Sequence, residues 1–185
     1  ILLAAILGYR CGLRRREIQM LLLHDVHPDP DPYLVVRSSE FARLKSHSSH
    51  RRLPLRAIVP DDELKLLLKH VERRKATLDE ACGLVFARQG DPRTPLTDAE
   101  LFAPITAAFQ AIIGLTTPRF RFHHLRHSFA NWLFLALVRI DNPELAMDGP
   151  RLLQVSPFSQ ERGRILADTF FLRLLGTPQA PTRKN

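Results

Sequence analysis

Phe122-His123-His124-Leu125-Arg126-His127-Ser128-Phe129-Ala130 packs three histidines and an arginine between aromatic and aliphatic residues. The apolar spacing predicts a helix running from His123 to Ile140, with Phe122, Leu125, Phe129 and Trp132 toward a core. His123 and Arg126, three apart, then share one face at its rim. Histidine moves protons near neutral pH, and arginine binds a non-bridging phosphate oxygen through a planar fork. His123 and His127 also stand at an i, i+4 zinc spacing. No glutamate occupies the adjoining position and no third ligand is evident, so neither a metal nor any other cofactor is expected. A purely structural helix with incidental histidines is the plain alternative for this stretch taken alone.

Two upstream stretches share that chemistry. Cys11-Gly12-Leu13-Arg14-Arg15-Arg16-Glu17-Ile18 follows an apolar helix, Ile1 to Tyr9. Glycine allows a tight turn, and an arginine in the first turn of the next helix sits where backbone N–H groups favour an anion. That second helix is expected to run through Glu17 and Ile18 to Leu22. Leu44-Lys45-Ser46-His47-Ser48-Ser49-His50-Arg51-Arg52-Leu53-Pro54-Leu55 places a lysine on a hairpin tip, where it can protonate a departing alkoxide. Read one at a time, these are also a solvated helix start and an exposed basic turn.

The remaining pattern frames them. Tyr33–Val36 reads as a strand, and Arg52–Val59 as its returning partner, with Pro54 arguing for an edge. Asp61 or Asp62 is expected to cap a helix carrying Leu64, Leu67, Leu68 and Val71. Residues 76–93 are ambiguous. Thr97-Asp98-Ala99-Glu100 is a capping box for a helix to about Ile113, its early turns perturbed by Pro104. Ser156-Pro157 is expected to open a last helix ending near Gly176. The order is α+β: a mostly helical domain with a small antiparallel β-sheet.

Lys and Arg number 27 against 19 Asp and Glu, a formal charge of +8 in 185 residues, which favours an anionic partner. Cys11 and Cys82 form no metal pair or disulfide framework, consistent with a reducing, cytoplasmic setting. Ile1–Leu7 is too short for a bilayer span and is followed, not preceded, by arginines, unlike a signal peptide.

Taken together the three stretches resemble the tyrosine recombinase, or phage integrase, family. Its members carry a Gly-Leu-Arg-x-x-Glu helix start, matched by Gly12-Leu13-Arg14-Arg15-Arg16-Glu17. A hairpin lysine before an Arg-x-Pro-Leu-like strand follows, matched by Lys45 and Arg52-Leu53-Pro54-Leu55. The third motif, a His-x-Leu-Arg-His-Ser/Thr-Phe-Ala box, is matched at 123–130 and is the most specific. The resemblance implies the DNA breaking-rejoining fold and strand cleavage through a 3′-phosphotyrosine. Arg14 and Arg126 would clamp the scissile phosphate, Lys45 would act as general acid and His123 would assist proton transfer. Glu17 would be mainly structural. Arg15, Arg16, His47, Arg51, Arg121 and His127 are expected to contact double-stranded DNA, with members acting as tetramers on it. His124 stands where an aspartate is common.

Residues 1–185 are then expected to be a catalytic-domain piece, with an N-terminal core-binding domain and the tyrosine segment outside it. Leu174-Leu175-Gly176 is followed by Thr177 where the family usually has histidine or tryptophan, and the only tyrosines are Tyr9 and Tyr33. A catalytically inactive DNA-binding remnant or regulator is the first alternative. A helical protein-interaction module with an incidental basic surface is the second. The recombinase reading makes one spatial demand: the guanidinium groups must converge on one pocket.

Overall fold

The computed structural model describes residues 1–28, 30–41, 50–77, 83–114, 119–141 and 165. Lys45, His47, Cys82 and the helix expected after Ser156 lie outside these residues, apart from Ile165, which is helical. The chain divides into two units, Ile1–Ala130 and Asn131–Asn185. The first holds α1 (Leu2–Arg10), α2 (Arg15–Gln19), β1 (Val26–His27), β2 (Tyr33–Val36), β3 (Arg51–Pro54), α3 (Leu55–Ile58), α4 (Asp61–Ala76), β4 (Ala87–Arg88), β5 (Asp91–Pro95), α5 (Asp98–Leu101) and α6 (Ala103–Ile113). It also holds the start of α7 (His123–Asp141), whose later turns form the described part of the second unit together with Ile165. Helices and a small antiparallel sheet make this an α+β fold, as expected from the sequence.

The sheet runs β1-β2-β3 with antiparallel pairing throughout. Leu34 and Val36 point into the core, while Tyr33 and Val35 stay half-buried on the other face, the period of two expected of a one-sided sheet. Pro54 lies on edge strand β3, where its missing N–H leaves no ladder bond unmade. The expected strand over Arg52–Val59 stops there. The Leu55 N–H turns to the Pro32 carbonyl at 2.9 Å, and Leu55–Ile58 coils into α3, burying Leu55, Ala57 and Ile58.

Helix α2 is shorter than the apolar spacing predicts. Leu21–Leu23 are drawn instead into backbone bonds with the segment after Cys82: Val85 N–H to the Leu21 carbonyl at 2.8 Å, and Leu23 N–H to the Gly83 carbonyl at 2.9 Å. A bridge pairs Leu22 with Leu84, and a 3-10 turn follows over Leu23–Asp25. These long-range bonds outweigh local helix propensity. The ambiguous region thus contributes buried Leu84, Val85 and Phe86 and the β4-β5 hairpin, which turns at Gly90 with φ 82°.

In α4, Leu64, Leu67 and Val71 form the buried stripe and Leu68 is half-buried. Pro60, not an aspartate, stands at its N-cap; Asp61, Asp62 and Glu63 occupy the first turn, where they still favour the helix dipole. The capping box at Thr97 forms as expected, with Thr97 N–H to Glu100 Oε2 at 2.7 Å and Glu100 N–H to Thr97 Oγ1 at 3.3 Å. The expected single helix breaks at Phe102, and Pro104 sits in the first turn of α6, where it costs no hydrogen bond. No helix among the described residues is long and apolar enough to cross a membrane.

Candidate active site

The site begins as a backbone problem at the end of α1. Cys11 and Leu13 both donate their N–H to the Leu7 carbonyl, each at 3.2 Å, and Gly12 between them has φ 61°. A Cβ at Gly12 would stand 2.3 Å from Phe129 Cδ1 on α7. A Cβ at Gly8, one turn earlier, would stand 2.6 Å from Phe122 Cζ and 3.3 Å from Leu125 Cδ1. Two glycines therefore let α1 and its turn lie directly against the first turns of α7. Phe122 and Leu125 are buried there and Phe129 is half-buried, as the helical spacing requires; Trp132, in the second unit, is half-exposed. Burial pushes the thiol of neighbouring Cys11 up to about 12, so it stays neutral.

This contact brings together arginines that are 112 positions apart in sequence (Arg14 and Arg126). Arg126 donates from Nη1 to the Gly12 carbonyl. Arg14 is the N-cap residue of α2, and Glu17, three residues on, folds back to it. Glu17 Oε2 accepts the Arg14 N–H at 2.8 Å and Oε1 accepts Arg14 Nη1 at 2.7 Å. The same carboxylate meets Arg51 from β3, with Nη2 to Oε2 at 2.6 Å and Nη1 to Oε1 at 3.2 Å. The Glu17 side chain is 4% exposed and that of Arg14 42%. Burial pushes the Glu17 carboxyl up, but the hydrogen bonds from Arg51 and from the Arg14 N–H outweigh it and hold it below the usual range.

The cations feel one another. Burial lowers the proton affinity of Arg126, and the charges of Arg14 and Arg51 lower it further against an opposing pull from Glu17. His123 is likewise lowered, by burial first and then by His127, Arg126, His124 and Arg14. At neutral pH it is an uncharged imidazole beside two guanidinium groups, able to accept or relay a proton. Arg14, His123 and Arg126 thus lie within electrostatic reach of one another, with Arg126 tied to the turn two residues before Arg14.

The other expected residues distribute around this centre. Arg15 pairs with Asp98 and lies over the Phe102 ring, 5.1 Å from its centroid. Arg16, Arg121 and His127 are exposed. The His127 ring meets that of His123 edge-on at 4.6 Å. Among the described residues no three His, Cys, Asp or Glu gather as metal ligands. His124 is engaged locally. Its Nδ1 accepts the Arg121 N–H at 3.2 Å, and its ring packs edge-on against Phe120. Tyr9 lines an apolar pocket of about 520 Å³ with Phe109, Ile113, Phe120 and Leu125. Tyr33 is sandwiched between His27, stacked at 4.2 Å, and the Arg52 guanidinium at 3.4 Å. Sequence reasoning missed Gly8 and the inward turn of Arg51; the first had a signal in its spacing from Gly12, the second had none.

The chain matches the phage integrase family over residues 2–142. It belongs to that family, the tyrosine-type site-specific recombinases. Among solved structures, this integrase-family chain is similar to the XerH site-specific recombinase bound to its difH substrate in a pre-cleavage complex. The two are 19% identical with a TM-score of 0.47, and the similarity covers 89% of this chain and 41% of that one. No curated protein matches it.

Proposed function

We propose that this chain is a catalytic-domain piece of a site-specific recombinase that grips the scissile phosphate of double-stranded DNA. The proximity of Arg14, Arg126 and His123 carries this reading. A phosphodiester nearing a pentacoordinate transition state gathers negative charge on its non-bridging oxygens. Two fixed guanidinium groups oppose that charge, a contribution on the order of a few kcal/mol each. His123 holds or relays the proton of the attacking hydroxyl, and Lys45 protonates the leaving 5′-oxygen. Arg15, Arg16, His47, Arg121 and His127 would contact the DNA backbone, whereas Arg51, expected from the sequence to do the same, has its guanidinium on Glu17. Attack by a tyrosine gives a 3′-phosphotyrosine, and a second strand's 5′-hydroxyl reverses it, so no energy cofactor is needed.

The proposal takes the tyrosine from outside these 185 residues: the Tyr33 ring is sandwiched between His27 and Arg52, and the Tyr9 ring carries the Arg10 guanidinium 4.9 Å from its centroid. An N-terminal DNA-clamping domain and assembly as a tetramer on DNA complete the proposal. The same packing of Tyr9 and Tyr33 favours a second reading, a non-catalytic DNA-binding relative of the same fold.

Duplex binding measured against salt tests the phosphate grip. Binding should fall steeply with salt, and Arg14→Gln or Arg126→Gln should each flatten the log–log slope by about 0.9. A slope unchanged by both substitutions would remove the phosphate site. On a nicked suicide duplex the chain alone should form no covalent adduct. A trapped adduct would overturn the external tyrosine, whereas adduct formation restored only by a tyrosine-bearing partner would exclude the non-catalytic reading.

A further inference from the structure

Arg51 stands on β3, away from the two helices that carry Arg14 and Arg126, yet its guanidinium is turned onto Glu17. An ionised carboxylate offers about four lone-pair sites. Four donors meet this one: the Arg14 N–H, Arg14 Nη1, Arg51 Nη1 and Arg51 Nη2. The Glu17 side chain is 4% exposed and that of Arg51 24%, so water competes little for these bonds. The carboxylate is saturated, and its orientation is fixed from two sides. Arg14 inherits that orientation, because Glu17 holds both its backbone N–H and its Nη1. Arg51 has both terminal nitrogens on the carboxylate. Arg14 is held there by Nη1 alone among its terminal nitrogens and is 42% exposed, which leaves the rest of its fork for a ligand.

Charge points the same way. Arg14 and Arg126 facing each other repel, and Glu17 alone would cancel half of their combined charge. With Arg51 present, three guanidinium groups and one carboxylate leave two positive charges at the site, a match for a phosphodiester gaining charge in its transition state.

We propose that Arg51 is a positioning residue for the phosphate site: it fixes the Glu17 carboxylate and, through it, turns the free edge of the Arg14 guanidinium toward a phosphate oxygen. This rests on the phosphate-gripping reading above and deepens it.

A double-mutant cycle on the full 185-residue chain, read by fluorescence anisotropy with a short labelled duplex, separates the roles. Arg51→Gln should weaken binding by about fivefold, and by less than about twofold when Arg14 is already glutamine, because the effect passes through Arg14. Arg51→Lys, which keeps the charge but not the fork, should restore only part of the loss. The Arg14 Nε–H resonance should shift in Arg51→Gln without any DNA present. Equal losses in both backgrounds would mean that Arg51 touches phosphate itself and would overturn the proposal. Lowered stability with unchanged affinity, or an unmoved Arg14 resonance, would overturn it too. If Arg14→Gln alone leaves binding intact, the phosphate-gripping reading fails first. Should Arg51→Gln not fold, Glu17→Gln with Arg51→Gln removes the buried charge together with its partner. That pair must then weaken binding by about fivefold, and by less than about twofold when Arg14 is already glutamine.

Discussion

The corner between α1 and α2 and the helix α6 are both rich in small and apolar residues, yet they are built in opposite ways. At the corner, Gly12 is clasped by Phe129, its carbonyl holds Arg126, and two residues on a saturated carboxylate holds Arg14. In α6 only Ile105 is buried, while Ile112 and Ile113 are 79% and 58% exposed. The difference shows where position matters. A pair proposed to bind phosphate must be held to a fraction of an ångström, and the corner ties its two arginines with backbone geometry and one buried ion. The two arginines differ in the same spirit: Arg14 is anchored by a charge and Arg126 by a neutral carbonyl, so less of the Arg126 charge is cancelled locally.

The largest effect should come from breaking the corner at its tightest point. Gly12→Ala forces a Cβ into the Phe129 ring and strains a backbone at φ 61°, and it should cost about 3 kcal/mol in urea unfolding. A cost below about 1 kcal/mol would mean that the corner yields easily and that its contacts do not fix Arg126.

Much of this corner was legible in the sequence, for local reasons. Gly12 before a run of arginines and the 123–130 box each carry their geometry in their spacing. The capping box at Thr97 and the proline at the sheet edge are local signals too, and both form. What was hidden is long-range. Leu21–Leu23 read as helix because their apolar spacing is helical, and only the distant Gly83–Val85 backbone diverts them. Arg51 read as a DNA-contacting cation because nothing nearby in sequence reveals that Glu17 waits for it. The strand expected through Val59 ends at Pro54, after a last rung from the Leu55 N–H to the Pro32 carbonyl, and the chain coils into α3.

A smaller effect, on pH, sharpens the contrast between the two anchored groups. The Glu17 carboxyl is held below its ordinary value, so its contribution to stability is complete above pH 4.5 and is lost as pH falls through its lowered value. His123 is also lowered, so the unfolded chain takes up its proton first, and stability begins to drop once pH falls below 6.5. His27, lowered chiefly by burial, adds to that upper step. Urea unfolding over a pH series should therefore lose stability in two stages. Glu17→Gln should shrink the lower stage, to which Asp91 and Glu100 also contribute, and His123→Gln should shrink the upper one. The His123 ring resonance should titrate below 6.5; a midpoint above that value would mean that a carboxylate outweighs burial and the neighbouring cations.

The smallest effect should be found on α6, and its smallness is the informative part. Ile112→Lys removes an apolar side chain that is already 79% exposed, so almost no burial is lost. Lysine is also a slightly better helix former than isoleucine, because it avoids the β-branch that crowds the preceding turn. Unfolding free energy should change by less than about 0.5 kcal/mol, against about 3 kcal/mol for Gly12→Ala. A loss above about 1 kcal/mol would mean that this face is covered in solution, since a solvated side chain has no packing to lose. In that event α6 would be a second packed surface, and the contrast between a tied corner and an open helix would have to be redrawn.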